Sequence, residues 1–229
     1  MFGLEPGWVY TLSTWVLPVL VAITFHEAAH GFAAWRLGDP TARMAGRLSL
    51  NPLRHVDPFG TVILPAMLFF FGGVLFGWAK PVPVNFRLLR NPRRDMVWVA
   101  IAGPATNLVL AIVAVISLHA AALLPEGAQE WTARNLINAL QINLILALFN
   151  MLPIPPLDGG RVAVGLLPDR LAFPLARLER VGMLVILGAV FVLPFLGREI
   201  GVDLNLFWWL IGMPAMEVGR WLLIVFGVA

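Results

Sequence analysis

Six apolar runs separated by short polar loops set the plan of this chain. The first, Trp8 to Arg36, is 29 residues long, roughly 43 Å as a helix, and spans a bilayer with an overhang. Gly38-Asp39-Pro40 ends it, and Met44 to Leu50 then alternates like a short strand before Asn51-Pro52. Phe59 to Trp78 has the length of a span but contains Pro65 and Gly72-Gly73, and Ala79 to Asn85 reads as extended. Met96 to Leu124 is a long apolar helix with small residues, Gly103 to Thr106, near its start, suited to close helix contact. Asn135 to Leu167 begins as a helix, must unwind after Asn150 at Met151-Leu152-Pro153-Ile154-Pro155-Pro156, and resumes by Arg161. Val181 to Leu196 and Leu204 to Val228 complete the set, with Trp208 and Trp209 suited to an interfacial belt.

Composition turns these runs into a membrane protein. Hydrophobic residues make up 59% of the chain and charged ones 13%, with mean hydropathy +0.83, whereas a soluble domain is about half apolar and a quarter charged. There is no cysteine, so any metal must be held by His, Asp or Glu. The net charge of +3 comes from arginines set in loops, a pattern of membrane orientation and not of nucleic-acid binding. The first run follows a segment holding Glu5 and no basic residue, with no small-residue cleavage site, so it is expected to stay in the mature protein.

Ionisable groups inside such runs are expensive and mark function. Thr24-Phe25-His26-Glu27-Ala28-Ala29-His30 places two imidazoles four residues apart on one helix face with Glu27 beside them, the layout of a zinc hydrolase. Two histidines leave such a zinc one protein ligand short, and Asp158 is the natural third. His26 precedes Arg36 by ten residues and Asp158 precedes Asp169 by eleven, so both lie roughly 15 Å below the surface if their segments end on the same side.

That condition turns on Phe59 to Trp78. If this run dips in and returns, thirteen basic residues lie on the metal side and two on the other, with Arg220 near the metal side; a full crossing divides the sixteen six to ten. The positive-inside bias favours re-entry and puts the metal nearer the cytoplasm. The expected fold is therefore an all-α polytopic membrane protein with about five transmembrane helices, one re-entrant element at 59–78 and the N-terminus outside. His55 is read as a solvent-facing loop residue, Asp57 as a helix cap, His119 as interfacial, and Glu217 and Arg220 as a pair within the last helix.

His26-Glu27-Ala28-Ala29-His30, Ala102-Gly103-Pro104-Ala105-Thr106-Asn107 and Asn150-Met151-Leu152-Pro153-Ile154-Pro155-Pro156-Leu157-Asp158-Gly159-Gly160 together resemble the site-2 protease family of intramembrane zinc metalloproteases. The resemblance implies one zinc held by His26, His30 and Asp158, with Glu27 as catalytic base and Asn150 bonding the substrate backbone or the oxyanion. It implies cleavage within or near the transmembrane segment of single-span membrane proteins, as in regulated intramembrane proteolysis. It also implies a membrane-embedded β-hairpin drawn from Ala45 to Leu50 and Ala79 to Asn85. The expected organisation is a single membrane-embedded metalloprotease domain, 1–229, with core 8–167 and accessory helices 181–228, and without a PDZ or CBS domain. Its expected setting is the lipid bilayer of the cell membrane, with no nucleic-acid partner and self-association left open. The rival class is a membrane metal transporter or metal-binding protein, in which Glu27 chemistry is dispensable.

Overall fold

The computed structural model describes residues 7–63, 67 and 79–228. Its helices are α1 (Trp8–Arg36), α2 (Thr41–Met44), α3 (Pro92–Ala121), α4 (Glu126–Asn150), α5 (Asp158–Leu166), α6 (Asp169–Arg177), α7 (Glu179–Leu187), α8 (Leu193–Glu199) and α9 (Met213–Val225). Most of the 59–78 run lies outside the described residues, so its re-entry does too; within it, Pro58–Ile63 forms a π-helical turn.

Polarity is inverted relative to a water-soluble protein. Leu12, Val16 and Leu17 on α1, Val109 and Val113 on α3, and Leu184 and Phe195 farther on are exposed, while Thr14, Thr24, Asn107 and Asn143 are buried. The buried stripe of α3 runs Ala100, Gly103, Pro104, Asn107, Ala111, Ala114, Val115 and Leu118, the three- and four-residue spacing of one helix face. Lipid gives apolar helices no hydrophobic reason to associate, so small residues that let backbones approach carry the packing. Through this stripe α3 packs against α1 and α4, and Leu140 and Leu144 of α4 meet Ala215 and Leu222 of α9 in the same core.

Three described helical stretches, and not five, are long and apolar enough to cross a membrane: Val9–Arg36, Pro92–Ala121 and the continuous run Glu179–Glu199. The difference lies in polar side chains. Helix α4 starts at Glu126, ahead of the expected Asn135, and carries Glu130, Arg134, Asn135, Asn138 and Asn143. The last run carries Glu217 and Arg220 within its helix.

The hairpin is also absent: no strand occurs among the described residues. Pro81 and Pro83 have no amide hydrogen to give a ladder. Neighbouring amides go elsewhere, Lys80 N to His55 O at 2.9 Å, Val82 N to Glu27 Oε2 at 2.7 Å and Asn85 N to Asp39 Oδ2 at 2.6 Å. Across the gap Arg47 reaches Lys80 O through its guanidinium at 2.7 Å, where a ladder would use backbone.

Two devices position the site. Gly38, at φ 117°, turns the chain sharply after α1, and buried Asp39 then accepts from Thr41 N at 2.9 Å as well as from Asn85. Arg93, in the first turn of α3, bonds Gly165 O at 3.0 Å, Leu167 O and Asp169, tying α3 to the end of α5.

Candidate metal centre

Helix α1 presents His26 and His30 one turn apart, and α5 begins at Asp158, after the non-helical stretch that follows Asn150. Gly159 and Gly160 let this start sit directly on the preceding loop: a methyl group on Gly159 would meet Leu152 O at 2.6 Å, and one on Gly160 would meet Pro155 Cα at 2.7 Å. Gly103 does the same for α3, since a methyl there would lie 2.6 Å from His30 Cε1 and 2.7 Å from His26 Cε1.

The three side chains converge. Asp158 Oδ2 lies 3.2 Å from His26 Nε2 and 3.2 Å from His30 Nε2, the two Nε2 atoms are 3.0 Å apart, and all three residues are buried. The outer ring nitrogens fix the protons. His26 Nδ1 lies 2.5 Å from Asn107 Oδ1, and His30 Nδ1 lies 2.7 Å from the carbonyl oxygen of Val99. Both partners only accept, so each Nδ1 carries the hydrogen and each Nε2 turns a lone pair inward. With both rings neutral, two lone pairs and a carboxylate oxygen with no hydrogen-bond partner of its own face one another. Such a cluster is repulsive unless a cation joins it, and two imidazoles with one carboxylate suit zinc.

Residues 14–128 and 125–193 match the model of peptidase family M50. The chain belongs to that family. It is therefore a zinc metallopeptidase of the site-2 protease class and a membrane protein. It is 40% identical over 183 residues to YwhC of Bacillus subtilis (strain 168), a candidate zinc metalloprotease, covering 78% of this chain and 80% of that protein. Rip2 of Mycolicibacterium smegmatis, also a candidate zinc metalloprotease, is 36% identical over 141 residues, 61% of this chain and 52% of that protein. Against Rip3 of Mycobacterium tuberculosis the figures are 30% over 179 residues, 70% of this chain and 40% of that protein. The chain thus spans about half or less of the Rip proteins. No solved structure matches it.

The other singled-out residues fall as follows. Glu27 is half-buried, and its Oε2 accepts from Val82 N. Asn150 closes α4 and donates Nδ2 to Leu146 O, one turn back in the helix, at 3.0 Å. Asp57 caps the turn that follows it, accepting from Gly60 N at 2.7 Å. Glu217 and Arg220 pair at 3.4 Å on an exposed face, and exposed His119 bonds Phe226 O at 2.8 Å. His55, expected in solvent, is buried with Nε2 on Ser49 O at 2.8 Å, because the loop folds back over it. Sequence reading passed over Asn143 altogether and gave Asn107 no role. Amides in an otherwise apolar helix were the available signal.

Proposed function

We propose that this chain is an intramembrane endopeptidase that cuts peptide bonds within or near the transmembrane segment of single-span membrane proteins, from a site toward the cytoplasmic face of the cell membrane. The observation that carries the reading is the set of three buried donor atoms, His26 Nε2, His30 Nε2 and Asp158 Oδ2, within 3.2 Å of one another. The basic loops support the orientation.

His26, His30 and Asp158 would hold the zinc. When bound, it supplies a Lewis acid for the scissile carbonyl and makes a water nucleophilic near neutral pH. Glu27 follows His26 directly in α1, and its carboxylate takes the water's proton and hands it to the departing amine nitrogen. A helical substrate hides its carbonyls, so it must unwind before attack. Asn150 bonds its extended backbone or the developing oxyanion, having one amide hydrogen and its oxygen left after bonding Leu146 O.

The test is co-expression with candidate single-span membrane proteins, wild type against Glu27→Gln, with zinc measured in both. A product that disappears in Glu27→Gln while zinc is retained supports the reading. A wild type without zinc overturns it, and so does zinc transport that continues unchanged in Glu27→Gln, which would mark a transporter.

A further inference from the structure

Asn107 and Asn143 are fully buried amides on two neighbouring helices, each 1% exposed or less. Their bonds have a direction. Asn143 Nδ2 donates to Ala139 O, one turn back in α4, at 2.8 Å, which leaves Asn143 Oδ1 facing α3. Asn107 Nδ2 donates to that Oδ1 at 2.8 Å and to Ala22 O of α1 at 3.2 Å, so both its amide hydrogens are placed. Only Asn107 Oδ1 remains, and it meets His26 Nδ1. Turning the Asn107 amide over would set its oxygen against two acceptors and its hydrogens against the ring, at the cost of several hydrogen bonds.

We infer that Asn143 is a positioning residue that, through Asn107, holds the proton of His26 on Nδ1 and so keeps Nε2 open toward Asp158 and the metal. His30 needs no such help, because its Nδ1 partner is a backbone carbonyl that cannot turn over. The inference rests on His26 being a metal ligand. It adds that a residue in contact with neither metal nor imidazole fixes which nitrogen is offered. Groups that orient a ligating histidine typically change metal affinity by about 10–100-fold when lost.

The experiment uses the full chain in lipid nanodiscs, labelled with 15N-histidine, reading ring-nitrogen protonation by NMR without metal and zinc affinity by chelator competition. In Asn143→Leu only the longer bond to Ala22 O still orients the Asn107 amide, so His26 is expected to show mixed tautomers and zinc to bind about 10–100-fold more weakly. Adding Asn107→Asp to that variant supplies two equivalent acceptor oxygens that need no orienting, and both readouts should recover. A purely packing role predicts lower thermal stability with unchanged ring signals. Unchanged tautomers in Asn143→Leu, or no recovery in the double variant, overturns the inference. Should the leucine variant not fold, Asn143→Ala is read in the same way. A wild type that binds no zinc would sink the metal reading, and the ring signals would still decide the relay.

Discussion

The backbone amide of Val82 donates to Glu27 Oε2 across 2.7 Å, joining residues 55 apart in the chain. The amide belongs to an extended segment whose prolines leave it few hydrogen-bond donors. One oxygen of the carboxylate that adjoins His26 is thereby oriented.

Replacing Glu27 by glutamine keeps an acceptor for Val82 N and removes the proposed base. Cleavage is expected to fall by about 10²–10⁴-fold, with zinc content and unfolding temperature near wild type. Product formation and metal content in the same preparation check it.

Asp158→Asn separates the metal's contribution from that of the fold. A side-chain NH2 at this position can donate to the two inward-facing Nε2 atoms that the carboxylate oxygen only crowds. The variant is expected to lose zinc yet unfold at or above the temperature of metal-stripped wild type. Chelator should lower stability in wild type alone, by about 4 kcal/mol where zinc stands at a thousand times its dissociation constant.

Gly103→Ala places a methyl group against both imidazoles, at 2.6 and 2.7 Å from their Cε1 carbons. Overpacking of this kind costs about 1–3 kcal/mol. Because the atoms that must yield are the ligands, the cost is expected to appear as zinc affinity weaker by about tenfold or more. Chelator competition measures it.

Asp39→Ala removes the carboxylate that accepts from Thr41 N and Asn85 N and leaves two partly buried bonds unmade. A loss of about 1–3 kcal/mol in stability is expected. With Asn85 released, the segment bearing Val82 should become open to added protease, and gel analysis of the cut site reads this directly.

The metal site was legible because its signals are local or scarce. His26 and His30 stand four apart, and few carboxylates other than Asp158 interrupt the apolar runs. The amides behind His26 were not legible, since Asn107 and Asn143 acquire meaning only when α3 is known to pack against both α1 and α4. The hairpin failed for a different reason: alternation at 44–50 says nothing about donors across the gap, and there Pro81 and Pro83 have none while side chains take those of Val82 and Asn85. Span counting overshot because polar residues such as Glu130, Asn138 and Arg220 interrupt the apolar character of α4 and of the last run.

Burial is uneven across the membrane-length helices: 44% of the apolar window in Pro92–Ala121 is covered by protein, against 17% in Glu179–Glu199. The outer helix therefore depends on surrounding lipid for most of its contacts, and the choice of solubilising agent governs how firmly it stays attached. In small, aggressive micelles hydrogen exchange should reach 179–199 well before 92–121, and preparations judged by metal content alone would miss that loosening at the periphery.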